Sequence, residues 1–164
     1  MNLLTQASLS PDDWAALRDV PHLVAIAVSA SAGSPIDLLF EHAAGRAAIA
    51  SGINNEHPLV RAIAGWREIE AARVALKTIV IEPQGMHRPP EELLPLATEA
   101  ARRAADLLRA HGNELDRYAY REFVVGVARK VAEAAREGDF LGFGGRLVSD
   151  AERTAISAVA EALT

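Results

Sequence analysis

Alanine occurs along this chain in blocks, and the blocks constrain the fold more than any other feature. It fills 33 of the 164 positions but is absent from residues 51–60, 81–90 and 141–150. Alanine has the highest intrinsic helix propensity, whereas strands favour aromatic and β-branched side chains, and only 5% of this chain is aromatic. The pattern predicts an all-α fold, with its connections in or near the alanine-free segments.

Helix-start signals divide the chain further. Ser10-Pro11 and Ser34-Pro35 each place an N-cap residue before a proline at the first helical position. Connections between the predicted helices are short, and no polar linker separates two parts of the chain. We therefore expect residues 1–164 to form a single all-helical domain, a compact bundle of six to seven helices that can be divided into two similar helix-loop-helix halves.

Prolines inside apolar runs decide several predicted boundaries, because proline lacks a backbone N–H and clashes with the preceding turn. Asp19 and Pro21 predict that a second helix begins there, after a short first one, and its all-round apolar run predicts a central, buried helix. Pro58 predicts a long helix that continues through Trp66, with apolar side chains turned inward. Pro95 predicts the start of a main helix after a short turn.

Three glycines lie within the predicted helices, at Gly45, Gly65 and Gly126. Glycine destabilises a helix interior by about 1 kcal/mol relative to alanine. Close approach of neighbouring helix axes is one reason for its presence there, and simple tolerance on the surface is the other.

Composition excludes several classes of function. There is no cysteine, so disulfides, thiolate zinc sites and cysteine nucleophiles are excluded. The net charge of −5 disfavours nucleic acid as a partner. Charges interrupt the apolar stretches before the ~18 residues that a membrane span needs, and we see no secretory signal. We expect a cytoplasmic protein without a membrane span.

No catalytic motif is present in the sequence. The carboxylate pairs, such as Glu68 and Glu70, are expected to be solvated, and no G-x-S-x-G nucleophile turn occurs. The histidines form no H-E-x-x-H or E-x-x-H pattern, and we expect structural or surface roles for all five: His22, His42, His57, His87 and His111. The prediction leans towards a protein that is not an enzyme, with no cofactor and no metal site.

Residues 139–145 form the most distinctive segment, a glycine-rich loop that carries Phe140, Leu141 and Phe143. Its spacing is not that of a phosphate-binding loop. Its apolar side chains either pack into the core or meet a partner, and they are our first candidates for an interface. Tyr118 is a further candidate that could line a pocket, although packing against the core is the simpler interpretation.

The segment Gly145–Glu152, with its S-x-x-E capping box, resembles a unit of the tellurite-resistance TerB-like helical domains, and 31–37 is similar more faintly. That family carries two helix-loop-helix units with an acidic turn. The resemblance implies a stress-related role. Ala32 in the first unit and Gly144 or Gly145 in the second stand where the family has a metal-binding aspartate, so the metal site itself is not implied here.

Two functions follow as expectations. The first is a non-enzymatic protein that acts by association, as a homodimer or with another protein. The alternative is a helical bundle that binds a small apolar ligand or a metal ion between its halves.

Overall fold

The computed structural model describes residues 3–31, 35–80, 88–138 and 148–164. Helices make up nearly all of these ranges, and none of them contains a β-strand. The all-α prediction is confirmed, as is the predicted number of helices. The described ranges form seven α-helices: α1 (Pro11–Ser31), α2 (Pro35–Ser51), α3 (Pro58–Ile63), α4 (Trp66–Val80), α5 (Pro90–His111), α6 (Glu114–Gly138) and α7 (Asp150–Ala162), with 3-10 turns at Gln6–Ser8 and Gly52–Asn54.

Helix α1 lies at the centre of the bundle. It packs against α2, α4, α5, α6 and α7, while α2 also packs on α6 and α5 on α7. Its second half is apolar nearly all round, and Val24 and Val28 are completely buried. The predicted central helix is therefore confirmed, because an element without a polar face gains most from burial on every side.

The predicted boundary at Pro21 is wrong, since α1 continues through this residue. Proline has no N–H, so the carbonyl of Leu17, four residues earlier, loses its helical donor. The Tyr120 hydroxyl donates a hydrogen bond of 2.7 Å to that carbonyl from α6. A side chain distant in sequence thus satisfies the backbone group that the proline leaves unpaired.

The boundary predicted at Pro95 is also wrong, because α5 begins at Pro90 and includes Pro95. The carbonyl that loses its donor here belongs to Glu91, an exposed residue in the first helical turn. Water can bond to a carbonyl at such a position, so an internal proline is tolerated near the start of a helix.

The long helix predicted from Pro58 is interrupted at Gly65, which separates α3 from α4. The Gly65 carbonyl accepts the N–H groups of Glu68 and Ile69 and so starts the new helix. The interruption changes the helical phase. As a result Trp66 is 72% exposed, against the prediction that it faces the core.

The three helical glycines differ in what surrounds them. A Cβ on Gly45 would lie 2.8 Å from the Ala25 Cβ and 3.3 Å from Val131, so α2 approaches α1 and α6 too closely for any side chain. Gly65 lies between helices. Around Gly126, inside α6, no other part of the described chain comes within 4 Å of the position of such a Cβ, apart from its own helix. The close-approach interpretation is confirmed for Gly45 alone.

Charged side chains form short-range pairs on the helix surfaces, as the interleaving of arginine and acidic residues predicts. The i,i+3 and i,i+4 pairs stabilise exposed helices by a few tenths of a kcal/mol each. On the helices they are Arg73–Glu70, Arg102–Glu99, Arg109–Asp106 and Arg153–Asp150. Arg88, which precedes α5, forms a similar pair with Glu92 in the first turn of that helix.

Candidate functional site

The four candidate interface residues fall in two parts of the chain. Phe140, Leu141 and Phe143 lie outside the described residues, so their role stays a prediction. Tyr118 lies on α6 with 66% of its surface exposed, whereas Tyr120 is completely buried. The interpretation that Tyr118 packs against the core is wrong, and its ring is free to contact another molecule.

Tyr118 belongs to a continuous accessible stripe along α6. Residues three or four positions apart share one side of a helix, and the remaining sides of α6 pack against α1, α2 and α7. We call this stripe the outer face of α6. It consists of Leu115, Tyr118, Glu122, Gly126, Arg129 and Glu133.

The N-terminal end of the outer face is apolar. Leu115 is 56% exposed beside Tyr118. Leu4 donates its backbone N–H to Asp116, the residue after Leu115, and this contact brings the exposed Leu3 to the same end of α6. Single exposed apolar residues are ordinary on protein surfaces, but clustered ones mark interaction sites.

Opposite charges lie on either side of Gly126 on the outer face. Glu122 precedes it by one turn, and its only contact with a cation within the described ranges is Arg121 at 3.5 Å. Arg129 follows by one turn and forms no ion pair with any residue that the structure describes. Both side chains are exposed on this face.

Asp116 anchors the start of α6 from within. Its carboxylate is completely buried and accepts the N–H of Leu4 at 3.2 Å and that of Asn113 at 2.9 Å. Asn113 in turn accepts the N–H groups of Leu115 and Asp116 through its side chain, which is the reciprocal arrangement of a capping box. His57 Nε2 lies 3.4 Å from Asp116 Oδ1 without meeting hydrogen-bond geometry. One carboxylate thus joins the N-terminal segment to the start of α6.

A second polar cluster joins α1 to α4. The Trp14 indole N–H donates to Glu68 at 2.9 Å, and Arg18 lies 2.7 Å from Asp19 and 3.8 Å from Glu68. All of these side chains are mostly buried. Glu68 is therefore not the solvated carboxylate that the sequence predicts, because the fold brings Trp14 and Arg18 to it.

Burial changes the proton affinity of the groups around this cluster. It raises the pKa of Asp19, partly against the neighbouring Arg18. Burial, with the positive charge of Arg18, lowers the pKa of His22 to about 4. Burial, with the negative charge of Asp19, raises the pKa of Tyr120 well above its usual value. The folded protein therefore keeps His22 and Tyr120 neutral at pH 7.

Arg18 is the centre of this cluster, because its guanidinium lies beside the carboxylates of both Asp19 and Glu68. A cavity of about 10 Å³ beside Tyr120 has room for about one water molecule. No group of three or more His, Asp or Glu side chains that could hold a metal ion occurs in the described ranges.

The sequence carried a signal for one of these features. Asn113 and Asp116 have the spacing of a capping box with aspartate as the fourth residue, and this spacing identifies the start of α6. The contacts of Asp116 with Leu4 and His57, and of Trp14 with Glu68, join distant parts of the chain and have no local signature.

No family model, no curated protein and no solved structure matches this chain. Among the helices that the structure describes, none combines the length and the apolar character that crossing a bilayer requires.

Proposed function

We propose that this protein acts by binding another protein chain through the outer face of α6. The observation that carries the proposal is the exposure of Tyr118 and Leu115, both more than half accessible, at adjacent positions on one helix face. Tyrosine is enriched among the residues that dominate binding energy, since it combines a large apolar area with a polar tip.

The described residues favour association over catalysis. Asp19, Glu68 and His22 are enclosed within the fold, whereas Tyr118, Glu122 and Arg129 are accessible. An accessible face that combines an aromatic ring with charges of both signs is typical of a protein interface, in which polar groups surround an apolar contact.

The TerB-like resemblance remains part of this proposal, with the stress-related role that it implies and a cytoplasmic location. Its support in the described residues is the second unit. Ser149 accepts the N–H of Glu152, and the Glu152 carboxylate accepts the N–H of Ser149. A capping box of this kind starts many helices, so the proposal of association rests on the outer face and not on the resemblance.

Photo-crosslinking in the cells that naturally make this protein tests the proposed interface. A photoreactive benzoyl-phenylalanine replaces Tyr118 in one variant and Trp66, which is equally accessible on α4, in the control. We expect discrete protein adducts at position 118, identified by mass spectrometry, and a loss of these adducts when Leu115→Arg is added to the same chain. Equal crosslinking at both positions, or adducts at 118 that persist in the Leu115→Arg variant, would overturn the proposal.

A further inference from the structure

We infer that the partner on the outer face of α6 is a second copy of this chain, whose own α6 crosses antiparallel at Gly126. The inference rests on the proposed function, because it names the occupant of the same face. It is carried by the order of charges along the face and by the open space at its centre.

The order of Glu122 and Arg129 along the outer face is self-complementary in an antiparallel crossing. Glu122 lies four residues before Gly126, and Arg129 lies three residues after it. Since each residue turns the helix by about 100°, both side chains point to the same side of the stripe. A two-fold axis that passes between the two helices at Gly126, perpendicular to both, therefore sets Glu122 of each copy opposite Arg129 of the other. A parallel pair would set Glu122 against Glu122, which is repulsive.

The two-fold arrangement uses the ends of the face as well. Tyr118 lies two turns before Gly126, and Glu133 lies two turns after it. The same axis brings Glu133 of the second copy towards Tyr118, whose hydroxyl can donate to a carboxylate. Such an isologous contact, in which the same surface is used twice, is the usual form of a homodimer.

Gly126 occupies the crossing point of this arrangement. The described residues leave the position of its missing Cβ open, although glycine weakens a helix interior relative to the alanine that is so frequent in this chain. A glycine at the crossing lets two helix backbones approach closely. Packing against a second helix would therefore explain why glycine occurs at position 126, which the contacts among the described residues do not explain.

Analytical ultracentrifugation of the purified full chain tests the crossing point. We expect the wild-type chain to show a monomer–dimer equilibrium and Gly126→Leu to raise the dissociation constant at least about tenfold. Ser157→Leu, which adds the same side chain to an exposed position of α7, is the matched control and leaves the equilibrium unchanged.

Gly126→Ala separates a blocked interface from a damaged fold. Unfolding is measured at a concentration at which the chain is monomeric. We expect the variant to be as stable as the wild type or more stable, because alanine favours the helix, while its dimer dissociates more readily. If Gly126 had a role only in the monomer, Gly126→Ala would not raise the stability of the monomer and weaken the dimer at the same time.

Charge reversal tests the orientation of the two helices. Glu122→Arg and Arg129→Glu each place like charges opposite one another in the antiparallel crossing, and we expect each to raise the dissociation constant about fivefold or more. The double variant restores opposite charges and recovers the dimer. A double variant that is no better than the single ones would overturn the antiparallel crossing.

The two proposals fail in different ways. A wild-type chain that stays monomeric at its highest soluble concentration, or a dimer that is indifferent to Gly126→Leu, overturns the second copy as the occupant. Tyr118 adducts with a different protein then leave the proposed function standing. The absence of any adduct at Tyr118 overturns both.

Discussion

At the scale of single residues, the Leu17 carbonyl shows how a local defect is corrected from elsewhere in the chain. Pro21 removes its helical donor, and the buried Tyr120 hydroxyl replaces that donor at 2.7 Å. The hydrogen bond satisfies two buried polar groups at once, since the hydroxyl would otherwise be buried without a partner. The central helix remains continuous through a proline for this reason.

Replacing Tyr120 by phenylalanine tests that explanation. The variant keeps the ring but leaves the Leu17 carbonyl buried and unpaired, which destabilises a fold by about 1–3 kcal/mol. Urea denaturation at neutral pH, at a concentration at which the chain is monomeric, measures the change in free energy of unfolding. Tyr118→Phe removes the same hydroxyl from an exposed position and is expected to change the stability of the monomer by less than about 0.5 kcal/mol. Equal stability of the two variants would contradict this role of Tyr120.

At the scale of elements, Asp116 determines how the N-terminal segment meets α6. Capping normally satisfies only the donors of the helix itself. Here the same carboxylate also accepts the N–H of Leu4, whose side chain is buried in the core. The start of α6, and with it the apolar end of the outer face, is thus held in place by one buried side chain.

Asp116→Ala is expected to lower the free energy of unfolding by about 2–4 kcal/mol, through the lost cap and the unpaired N–H of Leu4. Hydrogen exchange at the Leu4 amide should accelerate at the same time. Asp106→Ala removes an exposed carboxylate of α5 that pairs with Arg109, and its effect is expected to stay below about 0.5 kcal/mol. Unchanged exchange at Leu4 in Asp116→Ala would refute the anchoring role.

At the scale of the whole molecule, the pH dependence of stability follows from burial. His22 has a pKa of about 4 in the folded protein, against an ordinary value of 6.5. The unfolded chain therefore binds a proton to His22 at a higher pH than the folded chain does, and acid favours unfolding across this window. Burial raises the pKa of Asp19, which acts in the opposite direction because the folded state then holds the proton more tightly.

We expect the free energy of unfolding to fall as the pH is lowered from 6.5 to 4, with a contribution of up to about 3 kcal/mol from His22. Urea denaturation at several pH values measures this slope. His22→Leu replaces the imidazole with an apolar side chain of similar size that cannot titrate, and it should lose that part of the slope. His111→Leu, at an exposed position of α5, is the control and should keep it. A slope that survives in His22→Leu would rule out His22 as its source.

The sequence by itself determined the fold class and most helix ends, because the physics of both is local. Alanine propensity, the proline at the start of α1 and the Ser149–Glu152 capping box each act within a few residues. These predictions agree with the structure. The sequence also identified Tyr118 as a candidate binding residue, but it did not predict that the Tyr118 side chain is exposed.

Tertiary structure alone decided what those local rules leave open. Whether Pro21 ends a helix depended on a hydroxyl from α6, and whether Glu68 is solvated depended on Trp14 and Arg18 from α1. Which side of α6 is accessible likewise depended on the neighbouring helices, because they cover its other sides. Each of these outcomes depends on contacts between residues far apart in the chain, and no local pattern of residues encodes them.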